Sequence, residues 1–279
     1  MATLFRRAWK VTVDTIEFTG LDVAFKVEKT LKLTPNTCEL HIWNLTEDHR
    51  AQLEQLRPRD GQKATRGIPC RIEAGYQDAM SLIWLGDLRT AVTTREGPDW
   101  VTRLTSGDGE KALKHARISV SYGPKTPLDT ALRAMARALG VGEGNLSKVV
   151  AKLKQAGVAE WPTGKVLSGP VARHLHDFAQ SADLEISIQD GALQFVDRGQ
   201  ALQGTALRLA EETGLVDSPS VDNEGVLHAK MLMIPGVRPG GLVTVEAARV
   251  KGSYRITKAT WLGDSAGVDW CIEIEAERY

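Results

Sequence analysis

The sequence predicts an α+β protein that is mainly β. It reads as two antiparallel β-barrel or sandwich domains with a small helical segment between them. Three observations carry this expectation. A short signature occurs twice, as Gly97-Pro98-Asp99-Trp100 and as Gly267-Val268-Asp269-Trp270, each between two β-like runs. Alternation of apolar and polar residues, the strand period, dominates both ends of the chain. The apolar spacing changes to the helical period only between about 121 and 183.

Each copy of the signature reads as strand, Gly/Asp turn, strand, which is a β-hairpin. Their separation of about 170 residues is too long for a solenoid period and fits two similar β-domains instead. Asp99 and Asp269 are expected in the turns. Trp100 and Trp270 are expected to anchor the strands that follow.

From the N-terminus, residues 10–14 and 23–27 alternate, and a turn at Thr34, Pro35 and Asn36 leads into residues 38–45. There Cys38, Leu40 and Ile42 fall on one face. Thr46 looks like a helix N-cap, with Glu47 and Asp48 in the first turn, where they oppose the positive end of the helix dipole. That helix is expected to reach Leu56 and stop before Pro58. Residues 68–106 alternate again and include the first hairpin.

Around residue 120 the pattern changes. Thr126, Pro127 and Asp129 read as an N-cap, a first-turn proline and a first-turn acid. Leu128, Ala131, Leu132, Met135 and Leu139 follow at helical spacing up to Gly140. Further helices are expected over 146–155 and after Pro170, the last with Val171, Leu175, Phe178 and Ala179 on one stripe. From Leu184 alternation returns, with a hairpin cue at Asp190-Gly191. Strands near 205–209, 226–234 and 242–247 follow, the last two separated by a turn-rich stretch. The second signature hairpin ends the sequence. The domains are therefore expected at 1–120, 121–183 and 184–279.

Composition narrows function mostly by exclusion. The 279 residues include 35 basic and 35 acidic side chains, a formal net charge of zero. A protein built mainly to grip DNA or an anionic membrane usually carries a basic excess, whereas a neutral surface does little to oppose self-association. No apolar run approaches the roughly 18 residues of a membrane span. The N-terminus lacks a secretory apolar region, so a soluble protein made in the cytoplasm is expected. Cys38, Cys70 and Cys271 are odd in number and far apart, which points to reduced, packed thiols.

No catalytic motif emerges. The glycines at 142, 144, 236, 240 and 241 do not form a phosphate loop. His174 and His176 stand two apart on an expected helix, so they do not share a face for one metal. His41, His49, His115 and His228 read as partly exposed polar residues. No GxSxG elbow or HExxH is present. The expectation is a protein with no cofactor, no metal and no enzymatic activity. Glu273, Glu275 and Glu277 alternate with Ile272, Ile274 and Ala276. They read either as the solvated face of a half-buried strand or as an acidic ring lining a pore. Seven tryptophans against five phenylalanines suit barrel cores, with some share at interfaces.

Several stretches together resemble the central baseplate hub proteins of contractile-tailed bacteriophages and of phage-tail-like bacteriocins. One runs from Pro35 and Asn36 through Asn44 and Leu45 to Arg50. A second joins Glu73, Gly75 and Tyr76 to Ile83, Gly86 and Asp87. The others are Gly97, Asp99 and Trp100 with Asp108 and Gly109, then Ile234, Gly236, Pro239 and Gly240, then Gly252, Tyr254 and Arg255 with Gly263, Asp264, Gly267 and Trp270.

The resemblance implies two tail-tube-like domains per chain and a ring of three chains. It implies a pseudo-sixfold face toward the tail tube protein, a threefold face toward the central spike protein, and a lumen through which DNA passes in transit. Other baseplate proteins and the tape measure protein are further implied partners, with assembly in the host cytoplasm and a final place in the virion tail. It implies no membrane insertion and carries over no catalytic residues. The 279 residues hold no lysozyme-like or spike extension, so wall degradation is expected of a separate protein. Two alternatives stay open: a tail-associated peptidoglycan hydrolase using a carboxylate pair, and a hub subunit of a non-contractile tail or a type VI-like injection apparatus.

Overall fold

A computed structural model describes residues 6–56, 67–158 and 160–279. The expected stop before Pro58 lies outside the described residues. The chain divides into two compact units: residues 1–29, 37–107 and 201–279, and residues 30–36 and 108–200.

The first unit is a sheet. It opens with β1 (Arg7–Val13), β2 (Ile16–Phe18), β3 (Val23–Thr30), β4 (Asn36–Trp43), α1 (Glu47–Leu56), β5 (Pro69–Tyr76), β6 (Ala79–Glu96) and β7 (Asp99–Asp108). Alternation predicts these strands well: Val23, Phe25 and Val27 of β3 and Cys38, Leu40 and Ile42 of β4 point inward and are buried, as a period of two requires. Thr46 caps α1, its Oγ1 accepting from the His49 amide at 3.3 Å.

The second unit is the helical one. It holds α2 (Glu110–His115), β8 (Arg117–Tyr122), β9 (Thr126–Pro127), α3 (Leu128–Leu139), α4 (Leu146–Gln155), β10 (Glu160–Trp161), β11 (Lys165–Pro170), α5 (Val171–Ser181), β12 (Leu184–Gln189) and β13 (Ala192–Asp197). The expected apolar stripe of α3 is buried, and Gly140 ends the helix at φ 72°, the left-handed conformation that suits glycine. The N-cap differs by one residue. Pro127, not Thr126, holds that position, and the Thr126 hydroxyl instead donates to the Gly123 carbonyl at 2.7 Å. The β12–β13 hairpin turns on Asp190 and Gly191, both at positive φ, as a type I′ turn demands.

Sequence alone assigns residues 184–197 to the second β-domain and 117–120 to the first. In the structure both stretches belong to the helical unit. Leu184, Ile186, Ile188, Leu193 and Phe195 share one core with Leu132, Met135, Leu146 and Leu175, while β8 pairs with β11. Burial of a shared apolar face overrides sequence adjacency.

The first unit resumes with β14 (Leu207–Leu209), β15 (Ser220–Val221), β16 (Leu227–Leu232), β17 (Leu242–Glu246), β18 (Lys251–Asp264) and β19 (Trp270–Arg278). These strands join the earlier ones in one 13-stranded sheet. The expectation of a mainly β, antiparallel architecture with few helices holds. The two β-rich ends of the sequence meet at neighbouring strands β18 and β3.

Two sets of strands within this sheet share one order. The first runs β3-β4-β7-β6-β5-β1, and the second runs β15-β16-β19-β18-β17-β14. The signature hairpins, β6–β7 and β18–β19, occupy the same place in both. The one departure is that β14 pairs parallel with β17, whereas β1 pairs antiparallel with β5. We call the two sets module A and module B.

The sheet also curls. β19 stands six places from β5 along the ladder, roughly 29 Å apart if flat at about 4.8 Å per strand. Yet the Trp270 indole Nε1 donates to the Gly75 carbonyl at 2.9 Å. Only strong curvature brings those strands together.

Candidate functional site: the signature hairpins and the charged sheet face

The first signature turn is Gly97–Pro98, closed by the Glu96–Asp99 pair. Gly97 sits at φ 62° and Pro98 is confined to negative φ by its ring, the pattern of a type II′ turn. Asp99 is fixed from outside the hairpin. Asn44, at φ 54°, donates through Nδ2 to Asp99 Oδ1 at 2.9 Å. It accepts from the Trp100 amide through Oδ1 at 3.1 Å.

The second turn is longer. Its ends are the Asp264 amide and the Asp269 carbonyl, 2.7 Å apart. The carboxylate that organises it is Asp264, which accepts from the Ala266 and Gly267 amides at 3.0 and 2.7 Å. Asp269 thus contributes to the turn through its backbone carbonyl, and Asp264 supplies the carboxylate. The Arg7 guanidinium reaches the same turn, donating to the carbonyls of Asp264 and Gly267 at 2.6 Å and of Val268 at 3.1 Å. Arg7 also lies over the Trp270 ring.

The two signature tryptophans differ in environment. Trp270 is 5% exposed, packed edge-on against Phe25 and tied to Gly75. Trp100 occupies the matching place, on the core-facing side with Thr102 and Leu104, but is 40% exposed. The expected core anchor is therefore half open to solvent. Arg50 and Arg95 lie 4.3 and 5.9 Å from its ring centroid, close enough for cation–π attraction.

Glu273 and Glu277 are exposed and Glu275 half-buried, with Ile272, Ile274 and Ala276 buried between them. All three face cations. Glu275 pairs with Lys258 at 3.0 Å. Glu277 pairs at 2.9 Å with Arg255, whose side chain is only 5% exposed. Glu273 lies opposite Lys230 and lines one groove with Lys26, Glu28 and Lys258. Lys26 bonds Glu28 at 2.9 Å, and that hydrogen bond holds the ammonium pKa above its ordinary value. This sheet face is charge-balanced, not acidic. The lysines lie on β3, β16 and β18, so the alternation of β19 alone gives no sign of them.

Among the described residues, no three His, Cys, Asp or Glu side chains group as metal ligands. No described helix is long and apolar enough to cross a membrane. The three cysteines are buried and unpaired. Burial raises the Cys70 pKa to about 12 and pushes those of Cys38 and Cys271 up as well.

Solved phage and prophage tail proteins share this fold. A 43 kDa tail protein of prophage MuSo2 from Shewanella oneidensis superposes with a TM-score of 0.65 at 11% identity, over 98% of this chain and 97% of that one. A tail protein from Neisseria meningitidis MC58 gives 0.64 at 12% identity, with the same coverage of 98% and 97%. The Escherichia coli c3393 protein, a type VI secretion component described as structurally similar to the T4 tail proteins gp27 and gp5, gives 0.54 at 11%, over 96% and 76%. No curated protein matches the sequence. The chain belongs to the baseplate hub gp41 family, whose model matches residues 9–275.

Proposed function

We propose that this protein is the structural hub of a phage tail baseplate, a homotrimeric ring that adapts a sixfold tail tube to a threefold central spike. The carrying observation is the repeated strand order within one chain. Two like modules per subunit let three subunits present six similar units on one side while keeping threefold symmetry on the other. Family membership supports the baseplate setting. In this reading the protein acts by shape and adhesion, without catalysis, and its partners are its own copies, the tube protein, the spike protein and other baseplate components. A lumen remains for DNA, and the charge-balanced face with Glu273 and Glu275 lines it. There the interleaved lysines and carboxylates give a backbone phosphate no net attraction.

Light scattering and native mass spectrometry of the purified chain, with imaging of the particles, test the ring. The expected species is three copies around a central opening. A single copy at high concentration that also fails to retain tube or spike protein would count decisively against it.

A second reading is favoured by the likeness to the type VI component: the same ring placed in a type VI-like injection apparatus. Copurification separates the two. A phage tube protein on the ring supports the first, and a secretion tube protein supports the second.

A further inference from the structure

In each signature hairpin the first strand has two edges. Tyr254 and Arg255 of β18 pair with β17 on one side and β19 on the other. Beyond Ile256, which Gly240 and Gly241 still bond, β3 takes that edge, with the Phe25 ring packed against Gly263. β6 is built the same way. Asp87 pairs with Pro69 of β5 on one side and Gly107 of β7 on the other. Beyond Leu88 the β5 edge ends. Among the described residues, no strand takes its place along 90–96.

The counterpart of β3 in module B is β15, at the far end of the sheet order. Among the described residues, its outer edge also pairs with no strand. Opposite residues of an antiparallel pair share a face. Val27 lies opposite buried Cys38 and is 0% exposed, whereas Val221 lies opposite buried Leu227 and is 44% exposed. Val221 and Trp100 are thus core-facing side chains that their own chain leaves uncovered.

We propose that the open edge of β6, residues 90–96, pairs with the outer edge of β15 in a second copy of this chain, reproducing between copies the β18–β3 junction found within each. The occupant follows from the fold: the one strand shown to fit such an edge is β3, and its counterpart with a free edge is β15. The match is heterologous, so it passes from copy to copy, and a threefold rotation between copies closes it into the ring proposed above. It covers Trp100 with the neighbour's module B and Val221 with the neighbour's module A, as Trp270 and Val27 are covered at home. Pro219 removes one donor from the β15 edge, so pairing rests on its flanking residues. This interface rests on the ring proposed above.

The matching register is readable. Thr94 lies opposite Val101 as Leu262 lies opposite Cys271, and Ser220 pairs with His228 as Lys26 pairs with Glu39. Lys26 and Leu262 line one groove. Thr94 of one copy should therefore meet Ser220 of the next.

The test oxidises the full-length Thr94→Cys/Ser220→Cys variant and reads the products on a denaturing gel. The in-chain pair Lys26→Cys/Leu262→Cys serves as a positive control. Covalent oligomers from the first variant, but from neither single variant, are the expected result. If the control closes and the mass is that of three copies, but no covalent oligomer forms, the β6–β15 junction is overturned and the ring survives. If the mass is that of one copy and no covalent oligomer forms, both readings fall. Covalent oligomers with a mass other than three copies keep the junction and overturn only the count. Trp100→Glu supplies an independent measure: at least tenfold weaker self-association with an unchanged circular dichroism spectrum. Undiminished association of that variant counts against the junction.

Discussion

Trp270 of β19 donates its indole hydrogen to the backbone oxygen of Gly75 on β5, bridging two strands that the ladder keeps six places apart. The bond ties module B to module A and, with Arg7 over the turn carbonyls, fixes the tip of the second hairpin. Trp100 has the same sequence setting and the same strand position, with no such seat among the described residues. The contrast shows what a duplicated unit does here. One copy of the hairpin is seated within the subunit, and the other keeps its ring 40% exposed.

Substitution should separate the two roles. Trp270→Ala removes a large buried ring and its hydrogen bond to the Gly75 carbonyl, with an expected loss of about 3–5 kcal/mol. Trp100→Ala removes half-exposed surface and the contact with Arg50, expected to cost about 0.5–1 kcal/mol in the separated chain. Denaturant unfolding of both variants at low protein concentration, where single chains dominate, checks the difference. Comparable losses would mean that Trp100 already has a seat within its own subunit.

Asn44 offers a test of how the first hairpin is held. Its backbone at φ 54° is one that asparagine and glycine adopt readily. Asn44→Gly keeps that conformation and deletes the two side-chain hydrogen bonds to β7, for an expected loss of about 1–2 kcal/mol. Asn44→Ala adds the strain of a left-handed alanine, about 1 kcal/mol more. The ordering, wild type above Gly above Ala, is the outcome to look for in thermal melts.

Much of this was legible in the sequence. Strand alternation gave the inward faces of β3 and β4, and turn chemistry gave both hairpins. The α3 stripe was visible because leucine, alanine and methionine recur there at 3.6-residue spacing. What escaped is non-local. Nothing near residue 190 says that its hairpin packs on helices, because its alternation is that of any half-buried strand. Nothing near Arg7 says that it will reach the carbonyls of residues 264–268. The acids of β19 look unopposed in sequence, since their cations lie on strands 15 to 250 residues away by chain, such as Lys258 and Lys26. Trp100 and Trp270 share a motif, so only the fold distinguishes the covered ring from the open one.

The thiols predict an alkaline limit on stability. Burial raises the Cys70 pKa to about 12 from its ordinary value of 9.0. The native state therefore keeps that proton through a range where the unfolded chain gives it up. Its contribution is fully present below about pH 9 and is lost as pH rises toward 12. Stability should fall across that interval, and Cys70→Ala should flatten the fall while lowering stability at neutral pH through the lost packing. A thiol reagent at pH 8 should modify none of the three cysteines in the native protein and all three in denaturant. Rapid native labelling of Cys70 would refute its burial.

The charge-balanced face makes a prediction about DNA. Glu28, Asp217, Glu273 and Glu275 are interspersed with Lys26, Lys230 and Lys258 around one groove, so in the proposed lumen a passing duplex meets little net charge. Replacing Glu273 and Glu275 by lysine turns the groove strongly basic and leaves the buried residues between them untouched. Fluorescence anisotropy with a short duplex should then show binding by the assembled protein at roughly 50 mM salt and its loss by about 200 mM, the salt dependence of phosphate contacts. The wild type should bind weakly at both. Lys26→Glu/Lys230→Glu, which makes the groove acidic, should bind no better than wild type. If the Glu273→Lys/Glu275→Lys protein assembles normally and still ignores DNA that can enter its opening, the face does not line the channel.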